Sequence, residues 1–160
     1  MTGLQTVERS DTISLAALTE EVFCDLDPVA EKHQVRLIQT DGDCTVTGSY
    51  ILLYRAVYNL VENAIKYNRP SGSVTVSIHS AESAVLEVTD TGIGISPENQ
   101  EKIFDPFYRV DKSRSRAMGG AGLGLALVSE IARQHNGQVK VTQSSKKGST
   151  IALILPVTIL

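Results

Sequence analysis

The chain has 160 residues, 42% of them hydrophobic and 21% charged, with 15 basic against 18 acidic side chains for a formal net charge of −3. These values exclude a disordered chain, a collagen-like repeat and a coiled coil, and the length suffices for one α/β domain with its own core. The slight acidity also lacks the positive field of a dedicated nucleic-acid binder, so no nucleic-acid partner is expected. Cys24 and Cys44 show no CxxC spacing, which argues against a disulfide framework or zinc site and for a reducing, cytoplasmic setting.

The start, Met1 to Gln5, has no basic stretch leading into an apolar one, and Ile151 to Leu160 is half the length of a membrane span and interrupted by Pro156. Any membrane anchor is therefore expected outside this chain. Residues 1–12 read as a connector from something upstream, with the folded domain over 13–160. Leu15, Leu18, Val22, Leu26 and Val29 recur at intervals of three and four, predicting a helix from Leu15 to His33 with Ser14 as N-cap. Val35 to Gln39 and Cys44 to Thr47 read as short strands. Ser49 caps a second long helix running to Asn68, which Arg69-Pro70-Ser71-Gly72 breaks.

Val74-Val76-Ile78 and Val85-Glu87-Thr89 alternate as an antiparallel hairpin. Pro97 opens a short helix to Phe104, and residues 105–121 carry no period and form a long polar connection. A third helix covers Leu123 to Asn136, before a last strand pair, Val139 to Thr142 and Ser149 to Leu155. Strands arrive in pairs rather than alternating singly with helices. This order predicts an α+β two-layer sandwich, a mixed, mostly antiparallel sheet with helices on one face.

Three segments carry chemistry. On the second helix Asn59, Asn63 and Lys66 stand at i, i+4 and i+7, on one side. Asparagine is a poor mid-helix residue, because its amide competes for backbone bonds. Two of them one turn apart fit a phosphate site, with amide oxygen for Mg2+ and Lys66 as a point charge, or else a solvated face. Asp90-Thr-Gly-Ile-Gly-Ile95 follows a strand directly. Gly92 and Gly94 permit positive φ and close approach of a ligand, though plain turns use the same residues. Asp90 can accept from an exocyclic amine such as adenine offers, where guanine puts a carbonyl that the carboxylate would repel. Gly119-Gly-Ala-Gly-Leu-Gly-Leu125 precedes the third helix and reads as an anion-binding helix start or a hinge. Arg109, Lys112, Arg114 and Arg116 lead into it.

Taken in order, these segments resemble the boxes of sensor histidine kinases. Asn59 to Tyr67 is similar to their N box, Asp90 to Ile95 to their first glycine box, Phe104 to Arg109 to their F box and Gly120 to Leu125 to their second glycine box. Lys147-Gly-Ser-Thr150 is similar to their last short motif. The resemblance covers residues 12–156 and implies the Bergerat-type (GHKL) sandwich shared with gyrases and heat-shock chaperones. It further implies ATP with Mg2+ on Asn63, Asn59 supporting the phosphates, and Lys66 and Arg109 on phosphate oxygens. Tyr67 would lie beside the nucleotide, and Asp90 would hold the adenine amine with Thr150 nearby. Gly92, Gly94, Gly120, Gly122 and Gly124 would shape the pocket, Ile95, Leu123 and Leu125 would wall it, and residues 108–121, from Tyr108, would be its lid.

The family's phospho-accepting His-Glu-x-x-x-Pro segment is absent, and His33, His79 and His135 read as structural. The resemblance thus implies a kinase domain whose partner is a separate histidine-bearing dimerisation domain, with a response regulator downstream and a membrane anchor upstream. Where hydrolysing relatives carry a glutamate this chain has Asn59, so water activation is expected to be poor. Glu62 is expected in a surface or salt-bridge role. The rival readings are an anti-sigma-factor-type serine kinase and a non-catalytic ATP-sensing module.

Overall fold

The computed structural model describes residues 11–105 and 125–158. A short strand β1 (Asp11–Ser14) leads into helix α1 (Leu15–His33), then β2 (Arg36–Gln39), β3 (Thr45–Gly48) and helix α2 (Tyr50–Lys66). The hairpin β4 (Ser73–Ser80) and β5 (Ser83–Asp90) follows, then two 3-10 turns, Pro97–Asn99 and Lys102–Phe104. Helix α3 (Leu125–Gln134) and the hairpin β6 (Gln138–Ser145) and β7 (Gly148–Pro156) complete the described chain.

Both long helices start where hydroxyl caps predict. The Ser14 hydroxyl accepts from the Ala17 N–H at 3.2 Å and that of Ser49 from the Leu52 N–H at 3.3 Å, each satisfying an orphan donor of the first turn. Asp43 adds a second clamp on α1, accepting from the Ala16 N–H at 2.9 Å and the Ser14 hydroxyl at 2.8 Å. At the start of α2 the Nε2 of buried His135 accepts from the Ser49 N–H at 3.1 Å, while its Nδ1 faces the Ile131 carbonyl at 2.8 Å. His135 is thus a neutral joint between α3 and α2, a structural role as expected.

Five strands form one sheet in the order β2-β4-β5-β7-β6, with β2 parallel to β4 and every other neighbour antiparallel. Strand β1 pairs separately with β3. It is an element that the sequence pattern does not mark, because only Ile13 of its four residues is buried. On one face of the sheet Val74, Val76 and Ile78 of β4 line up with Ala84, Leu86 and Val88 of β5 and with Ile151, Leu153 and Leu155 of β7. Helices α1, α2 and α3 cover that face through Leu18, Val22, Leu26, Leu53, Val57, Leu60, Val128 and Ile131. Each large aliphatic chain buried there contributes about 1.5–3 kcal/mol. The other face carries mainly Ser, Thr and charged residues, giving the two-layer sandwich. Residues 97–104 form two 3-10 turns, not one short helix. None of the described helices is long and apolar enough to cross a membrane.

Candidate functional site

The inner row of β5 runs Ala84, Leu86, Val88 and then Asp90, so a carboxylate ends an otherwise aliphatic strand face. Asp90 Oδ1 accepts from the Gly92 N–H at 2.8 Å and Oδ2 from the Ser149 hydroxyl at 2.9 Å. Burial pushes its carboxyl above the usual carboxylate range, and these hydrogen bonds only partly offset that. A cleft of about 610 Å3 opens beside it, lined among others by Gln100, Ser144, Lys147 and Gly148.

The C-terminal end of α2 closes on the same loop. The Tyr67 carbonyl accepts from the Ile93 N–H at 3.4 Å, and a Cβ at Gly92 would collide with that carbonyl oxygen. Gly94 has φ +78, and a Cβ there would strike the Ser145 carbonyl. Of the two glycines, only Gly94 thus takes the positive φ that the spacing suggests. In both cases the backbone approached so closely is the protein's own.

Asn68 and Thr91 fasten the junction. Asn68 Nδ2 donates to the Ser73 carbonyl at 2.9 Å, Thr91 Oγ1 donates to Asn68 Oδ1 at 3.0 Å, and the Ser73 N–H donates to Thr91 Oγ1 at 2.9 Å. Neither side chain is marked by the sequence pattern as part of such a junction.

Along α2, Asn63 Nδ2 donates to the Asn59 carbonyl at 3.0 Å, a back-bond that fixes the amide and explains how asparagine is held in mid-helix. Lys66 pairs with Glu62 at 3.7 Å, the salt-bridge role expected of Glu62. Among the described residues no cluster of three or more His, Cys, Asp or Glu could hold a metal ion. The Asn63 carboxamide carries an oxygen of the kind that magnesium can take when phosphates and water complete its shell.

Tyr67 is half-buried against the core, and Ile95 likewise, its N–H donating to the Ser144 hydroxyl at 2.6 Å. Leu125 is 1% exposed, so its side chain belongs to the core and not to an open pocket wall. Thr150 lines the same cleft as Asp90, but its side chain does not contact the carboxylate. Its hydroxyl lies 3.0 Å from that of Thr89 on the opposite sheet face, and Ser149 holds the place expected of Thr150. The signal was strand parity: Ile151, Leu153 and Leu155 face inward, so residue 149 shares their side with Asp90. Tyr108, Arg109, Gly120, Gly122, Leu123 and Gly124 lie outside the described residues.

A sheet covered on one face, an amide-bearing helix and a buried carboxylate where the two meet define the class, an ATP-binding α/β sandwich. The model of the histidine kinase-, DNA gyrase B- and HSP90-like ATPases matches residues 48–159, and the chain belongs to that family. It is 46% identical over 123 residues to the sensor-like histidine kinase SenX3 of Mycobacterium tuberculosis, covering 74% of this chain and 30% of that protein. The chain spans well under half the length of the curated relatives it matches, from 30% to 41% among the first. The structure of the mycobacterial sensor histidine kinase MprB superposes with a TM-score of 0.78 at 27% identity, covering 94% of this chain and 99% of that one. Full-length ShkA in complex with AMPPNP shares the fold with a TM-score of 0.82 at 24% identity, covering 97% of this chain and 33% of that one.

Proposed function

We propose that this chain is the ATP-binding catalytic domain of a two-component sensor histidine kinase, passing the γ-phosphoryl group to a histidine on a separate dimerisation domain. The observation that carries this reading is Asp90, a buried carboxylate ending an aliphatic strand row against the helix that bears Asn63 and Lys66. A carboxylate there takes the adenine amine and rejects the guanine carbonyl. Lys66 neutralises phosphate charge, joined by Arg109 from outside the described residues, and Asn59 supports the triphosphate. Mg2+, when bound through Asn63, supplies further charge neutralisation.

In the transfer the bond from the γ-phosphorus to the β,γ-bridging oxygen breaks, ADP leaves, and a bond to an imidazole nitrogen forms. The protein's part is positioning and charge, since Asn59 cannot take a proton from water and hydrolysis stays slow. The segment ahead of β1 would link the domain to its histidine-bearing partner, residues 11 and 12 belonging to the strand itself. A response regulator would act downstream, and any membrane anchor would lie beyond this chain.

Radiolabelled ATP with an added dimerisation-domain fragment is expected to give acid-labile phosphohistidine. Acid-stable phosphoserine, or no transfer at all, would overturn the reading in favour of a serine kinase or an ATP sensor. Asn63→Ala is expected to abolish Mg2+-dependent ATP binding by calorimetry with the fold intact, and unchanged affinity would remove Asn63 from the metal role.

A further inference from the structure

The two ends of the ATP site stand on different elements. Asp90 ends β5, while Asn59, Asn63 and Lys66 are carried by α2. One nucleotide has to reach both, so whatever fixes the end of α2 against the loop after Asp90 sets the span between them. The backbone bond that joins them is long, the Ile93 N–H reaching the Tyr67 carbonyl at 3.4 Å. Side chains carry the rest.

Asn68, Ser73 and Thr91 form a closed ring in which each member donates once and accepts once. Asn68 Nδ2 donates to the Ser73 carbonyl, the Ser73 N–H to Thr91 Oγ1, and Thr91 Oγ1 to Asn68 Oδ1. The ring has one direction only. Asn68 Oδ1 also accepts from the Arg69 N–H at 2.7 Å, and a carbonyl cannot donate to Nδ2, so the carboxamide cannot be turned over. The Ser73 N–H occupies one lone pair of Thr91 Oγ1 and leaves its proton for Asn68. Gly72 makes room for the ring, since a Cβ there would stand 2.3 Å from Asn68 Oδ1 and 2.5 Å from Thr91 Oγ1. Three segments thus meet at one point: the end of α2, the start of β4 and the first residue after β5.

We propose, resting on the ATP-site reading, that Asn68 and Thr91 are positioning residues, a ring that holds the adenine loop at a fixed span from the phosphate-bearing helix. Opening it leaves Asp90 its partners Gly92 and Ser149, and leaves α2 packed through Leu60, Val61, Ala64 and Ile65. What is freed is the relation between the two ends. A ligand that fills both gains from their being held at one distance, and a ligand that fills one end does not. The ring is therefore expected to act on ATP as a whole molecule and hardly at all on adenosine.

The test uses the 160-residue chain as wild type, Thr91→Val, Thr91→Ser and Asn68→Ala, with thermal melts to confirm folding. ATP with Mg2+ is followed by calorimetry and adenosine by NMR titration. Thr91→Val keeps the shape and removes the hydroxyl, and is expected to weaken ATP about tenfold with adenosine unchanged within about twofold. Asn68→Ala should do the same, and the double variant should lose no more than the larger single loss, because one ring is opened once. Thr91→Ser restores the hydroxyl and is expected to bind ATP as wild type does. Equal losses of ATP and adenosine would overturn the proposal, reducing the ring to a support for the Asp90 loop. Wild-type ATP affinity in Thr91→Val and Asn68→Ala, or a Thr91→Ser no better than Thr91→Val, would overturn it while leaving the ATP reading intact. A wild type that binds no ATP would overturn that reading and the proposal with it.

Discussion

Asp43 and Asp90 both accept hydrogen bonds from backbone N–H groups at an element's end, yet their carboxyls shift in opposite directions. Burial would raise Asp43, but hydrogen bonds from the Ala16 N–H, the Ser14 hydroxyl and the Cys44 N–H outweigh it and hold the carboxyl below the usual range. At Asp90 burial wins, and contacts from Gly92 and Ser149 do not balance it. Asp43 is exposed at the start of α1, and its charge complements the helix N-terminus. Asp90 ends an aliphatic strand row with no helix N-terminus among its partners. The first carboxylate stabilises the fold. The second is a cost that the fold carries, which is what a group held ready for a ligand looks like.

The widest gap between the two is expected on removing the charge at Asp90. Asp90→Asn keeps one acceptor oxygen, enough for the Gly92 N–H, and puts an amide donor in place of the oxygen that faces the Ser149 hydroxyl and would take the adenine amine. ATP affinity is expected to fall about 100-fold, roughly 2.7 kcal/mol, by calorimetry. Thermal stability of the nucleotide-free chain at pH 7 is expected to hold or rise. Parallel losses of stability and binding would make Asp90 a structural residue and dissolve the contrast.

Asp43→Ala should invert that pattern. Losing the clamp on α1 is expected to cost about 1 kcal/mol in urea unfolding, with ATP affinity unchanged. The pH dependence follows from the directions of the shifts. The Asp43 carboxyl is lowered on folding, so its stabilisation is complete above its ordinary value of 3.8 and is lost as the pH falls through the lowered one. The difference between wild type and Asp43→Ala should therefore shrink only in acid. The Asp90 carboxyl is raised on folding, so its cost is present above the raised value and is relieved as the pH falls. Any stability gained by Asp90→Asn should accordingly fade toward acid. Unfolding free energies from pH 2.5 to 7 check both slopes.

The helices were legible because a period near 3.6 with a serine just before it has few competing readings. Ser14 and Ser49 cap where the pattern places them, and the element order was enough for a two-layer sandwich. Strand faces were harder. In β5 the alternation Val85, Glu87, Thr89 reads as well as Ala84, Leu86, Val88, because Val85 is apolar on the outer face and Ala84 is small on the inner one. A one-residue slip exchanges the faces of a strand, and the family resemblance names Thr150, one residue from the Ser149 whose hydroxyl reaches Asp90. The junction of Asn68 with Thr91 stayed hidden because its residues are 23 apart and each is an ordinary turn residue. Tyr50 and Tyr54 have helical spacing, but the carboxylates they donate to, Glu21 and Asp25, lie 29 residues away on α1, a pairing that only the fold creates.

The smallest expected effect follows from that parity. Ser149→Ala removes the hydroxyl that donates to Asp90 Oδ2, leaving the carboxylate in place with one fewer partner. The loss should push the Asp90 carboxyl further up and free its orientation, weakening ATP by about fivefold, close to 1 kcal/mol. Thr150→Val removes a hydroxyl of nearly the same kind one residue away, but that hydroxyl faces Thr89 across the outer surface. It should leave ATP affinity unchanged and cost only the weak Thr–Thr pair, within about 0.2–1 kcal/mol. Calorimetry on the two variants side by side therefore reads the face of a strand directly. If Thr150→Val weakens ATP more than Ser149→Ala does, Ser149 is not the partner that orients Asp90, and the nucleotide meets β7 from the other side of the sheet.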